Sequence, residues 1–265
     1  MRPLADFPAA GRRRIQVVLT DIDDTLTDGG RLSGAAYGAM ETLATAAIAV
    51  VPVTGRPAGW CDHIARMWPV AGVVGENGAF YFRYDRVSRR MLRRFWRTAA
   101  ERADDRRRLE ALRQRILAEV PGAAVPSDQP YRMADLAIDF AEDVARLNEA
   151  AIDRIVGLFE AAGARARISS IHVNGWFGDY GKLAMSRRFL RAELGLDLER
   201  DNDRIVFVGD SPNDAAMFAA FEASVGVANV RDFIGRIETP PAWVARARGG
   251  AGFVELSQAL LAVRD

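Results

Sequence analysis

Apolar side chains follow two spacings along this chain. Near-continuous runs occur at Ile15 to Leu19, Ile48 to Val53 (broken only by Pro52), Val70 to Val74, Arg204 to Val208 and Ser224 to Val227. Runs of this length and aliphatic content read as strands buried on both faces. Between and after them lie helical stretches: Ser33 to Ala47, with Ser33 as N-cap, Ala58 to Met67, Leu183 to Leu194 closed by Gly195, Asn213 to Ala220, and Phe253 to Leu261. Strands alternating with helices predict an α/β fold, a Rossmann-like parallel sheet covered by helices.

The pattern changes in the middle of the chain. Ala79 to Tyr84 alternates loosely, and the basic, aromatic segment Arg89 to Arg97 reads as its partner strand. Glu101 to Val120 predicts a charged helix ended by Pro121-Gly122, Met133 to Phe140 a strand, Val144 to Ala162 an amphipathic helix, and Arg165 to Val173 a further strand. Mixed elements between two stretches of α/β pattern predict an inserted α+β cap at 84–175, with the core formed by 1–83 and 176–265. In Ser170-Ile-His172-Val-Asn174 the three polar residues fall on one strand face, a candidate surface for a substrate.

Composition narrows the function classes. The 265 residues are 49% hydrophobic with a net charge of +1, so no global field attracts nucleic acid or an anionic membrane. No apolar run is long enough for a bilayer span, Cys61 is the single cysteine, and Met1 to Arg14 lacks the apolar core of a secretion signal, so the expectation is a cytoplasmic protein. Lys182 is the only lysine among 36 basic residues. In a chain that uses arginine everywhere else, that position needs a compact ammonium.

Chemistry is suggested where the apolar runs stop. Asp21 and Asp23 follow the first, Thr54-Gly55-Arg56 the second, Glu76-Asn77 the third, and Asp210 with Asn213 and Asp214 the fourth. In open parallel sheets the site lies beyond the carboxyl ends of the strands, which brings these sequence-distant groups together. Carboxylates at the tip of a buried strand need a cation or a reaction to justify them. Asp21 suits a nucleophile, Asp23 a general acid and base, and Asp210 an oxygen ligand for a hard cation such as Mg²⁺. Lys182 would neutralise charge at a phosphoryl group and Thr54 would hydrogen-bond one of its oxygens. Gly55, Arg56, Glu76, Asn77, His172, Asn174 and Asn213 are candidates to line the substrate pocket. Asp24 reads as a turn residue and His63 as structural, while Arg132 and Arg167 are candidates to grip a second anionic group.

These residues resemble the motifs of the haloacid dehalogenase superfamily of aspartate-nucleophile phosphatases. Asp21-Ile-Asp23-Asp24-Thr25 matches its Asp-x-Asp-x-Thr motif, Thr54 its strand-ending hydroxyl, Lys182 its lysine, and Gly209-Asp210-Ser-Pro-Asn-Asp214 its Gly-Asp-x-x-x-Asp motif, in the family's order. The resemblance implies Asp21 as nucleophile and Mg²⁺ ligand, Asp23 as acid/base ligating through its main-chain carbonyl, Asp210 as a direct ligand, and Asp214 as an outer or second metal carboxylate. Asp23 argues against the dehalogenase branch, which lacks it. Glu76-Asn-Gly-Ala79 and a cap of about ninety residues resemble the Cof-type, sucrose-phosphate-phosphatase-like branch (subfamily IIB), many of whose members act on sugar phosphates. The expectation is a Mg²⁺-dependent phosphomonoester hydrolase for a small sugar phosphate or sugar-acid phosphate, with no nucleic-acid or membrane partner. A sugar phosphomutase of the same superfamily and a non-catalytic phosphate-ligand-binding protein are the alternatives.

Overall fold

In the computed structural model, which describes residues 1–169 and 171–264, the aliphatic runs assemble into one six-stranded sheet. Its order is Arg2–Pro3, Trp243–Val244, Ala223–Gly226, Ile205–Gly209, Val17–Thr20 and Ala49–Pro52, and every adjacent pair is parallel. The interior strands Val17–Thr20 and Ile205–Gly209 are buried along their whole length, which is why they carry no polar alternation. Val18, Val206 and Val225 point into one apolar cluster with Met40 and Leu43 of the helix Gly34–Thr45 and Leu256 of the helix Gly249–Leu261. Leu19, Phe207 and Val51 point the other way, against Met185 and Phe189 of the helix Lys182–Leu194. The core is therefore the expected Rossmann-like sheet between two helical layers.

Local chemistry sets several boundaries. Ser33 caps its helix by accepting from the Ala36 amide, and Gly195 ends Lys182–Leu194 at φ 67°. Thr98 and Glu101 form a capping box, so the charged helix begins at Ala99, ahead of the expected Glu101. The edge strand Arg2–Pro3 and its neighbour Trp243–Val244 are too short to show periodicity, and Phe7 stacked on Trp243 at 4.1 Å accompanies them.

A parallel bridge between Val53 and Val74 leads to an antiparallel sheet of Val73–Gly75, Phe80–Asp85 and Arg90–Phe95. Phe80 and Phe82 belong to the main core, so the boundary expected after residue 83 falls inside a core-packed strand. We propose that the cap begins after this hairpin, at the helix Ala99–Glu119.

The inserted elements form a three-stranded antiparallel sheet, Arg165–Ile168, His172–Trp176 and Leu136–Asp139 in that order. Ala166, Val173 and Ile138 pack against Leu109 and Ile116 of Ala99–Glu119 and against Ile155 and Phe159 of the helix Glu149–Ala161. The segment Arg165 to Val173, expected as one strand, belongs to two antiparallel strands, and Ser169 accepts from the His172 amide at 2.9 Å. No glycine or proline separates them in the sequence. Ser170, expected on the polar face, lies outside the described residues. Among the described residues no helix is long and apolar enough to cross a membrane.

Candidate active site

The sheet itself delivers the acidic cluster. The Asp21 amide donates to the Val208 carbonyl at 2.9 Å, extending the central strand pairing by one residue and setting Asp21 beside Gly209-Asp210. Asp214 turns back so that its Oδ2 accepts from the Asp210 amide at 3.1 Å. Gly209 permits this, because a β-carbon there would collide with Asp214 Oδ2. Across the cluster, Lys182 opens its helix directly after Gly181, whose carbonyl lies against Gly78. Gly78, at φ 99° and without a side chain, lets the turn approach that closely.

Lys182 Nζ donates to Asp21 Oδ1 at 2.7 Å and to Asp214 Oδ1 at 2.9 Å. One carboxylate oxygen each from Asp21, Asp210 and Asp214 lies within 4.8 Å of the others, all three residues being buried. Burial, together with the neighbouring carboxylates, raises the Asp21 pKa to about 7 and that of Asp210 to about 9, even with Lys182 opposing. Burial works against the Lys182 ammonium, but Asp21 and Asp214 outweigh it and hold its pKa above the ordinary 10.5. Three carboxylates face one ammonium, and the donor set is all oxygen. That set fits a hard divalent cation, which would supply the missing positive charge.

Asn229 completes the cluster and was not anticipated. Its amide nitrogen donates to the Asp24 carbonyl at 2.7 Å and to Asp210 Oδ2 at 3.2 Å, while its oxygen accepts from the Gly249 amide. The available signal was its place just beyond the strand Ala223–Gly226, as Asp21 and Asp210 stand beyond theirs. Thr25 adds a contact to Asp210 Oδ1 at 3.4 Å. Asp24, at φ 57° with its Oδ1 accepting from Gly29, is the turn residue expected.

Asp23, Gly55, Arg56, Asn77, Asn213 and the cap residues His172 and Asn174 line, with Asp21 and Asp210, one cleft of about 840 Å³ between the core and the antiparallel sheet. Arg56 is committed within it: its guanidinium forks onto Asp23, with Nη2 2.7 Å and Nε 3.0 Å from Oδ1, and lies 4.6 Å from the Trp60 ring. Thr54 is fully buried beneath the wall, its Oγ1 accepting from the Arg56 amide at 3.0 Å. The Asn77 side-chain nitrogen has no hydrogen-bond partner among the described residues. His172 Nε2 stands 2.8 Å from Glu142, and burial lowers the His172 pKa to about 4, leaving a neutral imidazole. Asn174 donates to Asp135 at 3.1 Å.

Glu76 departs from its expected place. It is fully buried away from the cleft wall, and its carboxylate accepts from the main-chain amides of Ala58, Met133, Ala134 and Asp135. A residue expected to touch substrate instead ties the inserted segment to the core. Arg132 assists, donating to the Gly55 carbonyl and to Asp135, each at 3.0 Å.

No protein-family model matches the chain. It is 29% identical over 243 residues to the phosphoglycolate phosphatase of Methanoculleus marisnigri, covering 91% of this chain and 94% of that one. Its fold superposes on that of a Thermoplasma acidophilum protein with a TM-score of 0.71, at 17% identity over 93% of this chain and 98% of the other. A sugar phosphatase of haloacid dehalogenase subclass IIB gives a TM-score of 0.63 at 12% identity, over 94% and 99%. The near full-length match to a phosphatase coincides with a buried aspartate triad at the strand ends. The chain is similar in fold to the haloacid dehalogenase-like hydrolases among the solved structures. The core sheet and the inserted antiparallel sheet with its two covering helices share the fold of that subclass IIB structure, and the buried aspartate triad could hold a metal ion.

Proposed function

We propose that the chain is a Mg²⁺-dependent phosphomonoesterase that works through an aspartyl-phosphate on Asp21 and acts on a small phosphorylated sugar or sugar acid. The observation that carries this is the Lys182 bridge to Asp21 and Asp214 within 4.8 Å of Asp210 at the strand ends. The name of the Methanoculleus relative supports the acidic end of the substrate range, since phosphoglycolate is a phosphorylated hydroxy acid.

Asp21, Asp210 and the Asp23 main-chain carbonyl would hold Mg²⁺, whose contribution when bound is to neutralise charge on the phosphoryl oxygens. Lys182 engages only Oδ1 of Asp21, fixing the carboxylate while leaving Oδ2 for attack on phosphorus. The phosphorus–oxygen bond to the leaving group breaks as the bond to Asp21 forms, and Asp23 gives its proton to the departing oxygen. Asp23 then takes a proton from the water that attacks the aspartyl-phosphate, which returns Asp21 and releases phosphate. Asp214 acts at one remove, holding Lys182 with one oxygen and the Asp210 main chain with the other. Asn77, whose side-chain nitrogen is unpartnered among the described residues, would hold a phosphoryl oxygen, and Thr54 from beneath the wall would hold the turn at Arg56.

A phosphate-release screen over sugar phosphates, sugar-acid phosphates, phosphoglycolate and nucleotides tests the proposal. Release that needs Mg²⁺ is expected. A purified, folded protein that releases no phosphate from any of them would refute it.

A further inference from the structure

We infer that the substrate's leaving group carries a carboxylate and that Arg167 on the cap reads it; this rests on the phosphatase reading above. The cap sheet presents two unlike faces. Ala166 and Val173 face the helices, so their neighbours Arg167, His172 and Asn174 face the opposite way. Arg167 pairs in register with Asn174, and His172 lies two residues before Asn174, so the three share one side, and all three line the cleft that holds Asp21.

On that side another cleft-lining guanidinium of the cap, Arg146, lies 5.4 Å from the Phe140 ring and 3.9 Å from Glu149. Asn174 is held by Asp135, His172 stands against Glu142, and Arg132 is spent on Asp135 and the Gly55 carbonyl. His172 is neutral, so it offers no charge to an anion. Arg167 is different: it is exposed, no carboxylate among the described residues pairs with it, and its hydrogen bond is to its neighbour's carbonyl, Ala166, at 3.2 Å. It is therefore a guanidinium on the cap wall with most of its donors available. At the bottom of the cleft Lys182 is shared between two carboxylates and Arg56 is forked onto Asp23, so neither is spare for a second anion. A substrate with a phosphoryl group at Asp21 and a second anion toward the cap finds its counter-charge at Arg167. A planar, two-oxygen carboxylate suits that fork better than a hydroxyl does.

The test compares two esters that differ only at that group: 2-phosphoglycolate and ethylene glycol monophosphate, in which a hydroxymethyl group replaces the carboxylate. Steady-state kcat and KM are measured for the wild-type protein, Arg167→Gln, Arg167→Lys and Arg236→Gln. Arg236 also lines the cleft, from the core side, and controls for loss of a charge there. The expectation is that Arg167→Gln weakens kcat/KM for phosphoglycolate by about 10- to 100-fold, mainly through KM, and for the neutral ester by less than about 3-fold. Arg167→Lys should recover part of the loss, and Arg236→Gln should show no such selectivity. Equal effects of Arg167→Gln on both esters, a matching selective loss in Arg236→Gln, or wild-type kcat/KM no higher for phosphoglycolate than for the neutral ester would overturn the inference while leaving the phosphatase reading intact. Absence of turnover on every phosphomonoester would remove both.

Discussion

Glu76→Gln tests whether the buried carboxylate is a brace or a substrate contact. Oε1 accepts from Ala58 at 2.9 Å and Met133 at 2.9 Å, and Oε2 from Ala134 at 2.6 Å and Asp135 at 3.2 Å. Glutamine is nearly isosteric, but one of the two oxygens becomes an NH₂ group. Met133 also reaches Oε2 at 3.1 Å, so one main-chain N–H (Ala58) or two (Ala134 and Asp135) then face a donor in a fully buried site, depending on which way the amide turns. Each orphaned donor costs about 1–3 kcal/mol, and the remaining hydrogen bonds weaken with loss of the negative charge, so a total of about 3 kcal/mol is expected. At this chain length that lowers Tm by roughly 6–12 °C in a calorimetric scan. Hydrogen exchange should quicken at Met133, Ala134 and Asp135, while kcat/KM well below Tm should stay within about 3-fold of wild type. An unchanged Tm with kcat/KM down about 100-fold would show that Glu76 contacts substrate and that the brace is incidental.

Two further outcomes follow from other parts of the site. His172 binds its proton at an ordinary 6.5 when unfolded and at about 4 when folded, so stability is full above about 6.5 and is lost as pH falls toward 4, by up to about 3 kcal/mol. Urea unfolding across that range should show this slope in the wild type and a flatter one in His172→Gln; equal slopes would contradict it. Gly209→Ala places a methyl group against Asp214 Oδ2 and should displace the carboxylate that holds both Lys182 and the Asp210 amide. The Mg²⁺ concentration for half-maximal activity should rise about 10-fold or more, and an unchanged Mg²⁺ dependence would show that Asp214 does not organise the cluster.

The parallel core was readable because the strands Val17–Thr20 and Ile205–Gly209 are buried on both faces and leave unbroken aliphatic runs. The acidic cluster was readable because strand ends in such sheets converge, and because Lys182 stands alone in an arginine-rich chain. What was not readable depended on contacts between distant segments. Glu76 looks like a turn former beside Asn77 and Gly78, and only the folded chain brings the amides of 133–135 to its carboxylate. Asn229 looks like any polar residue after a strand until the turn sets it over Asp210. No glycine or proline separates Arg165–Ile168 from His172–Trp176, so two strands read as one. Arg56 was expected in the pocket and is there, but its guanidinium is held by Asp23, a partner 33 positions away that periodicity does not reveal.

In the proposed reaction Asp21 carries the phosphoryl group between substrate and water. The most direct measurement is an acid quench of the enzyme turning over a substrate labelled in its phosphoryl group, followed by mapping of the labelled peptide. A hydroxylamine-labile label is expected on the peptide containing Asp21, with neither label nor turnover in Asp21→Asn. Phosphate release without a labelled enzyme, together with turnover that survives Asp21→Asn, would contradict that role of Asp21.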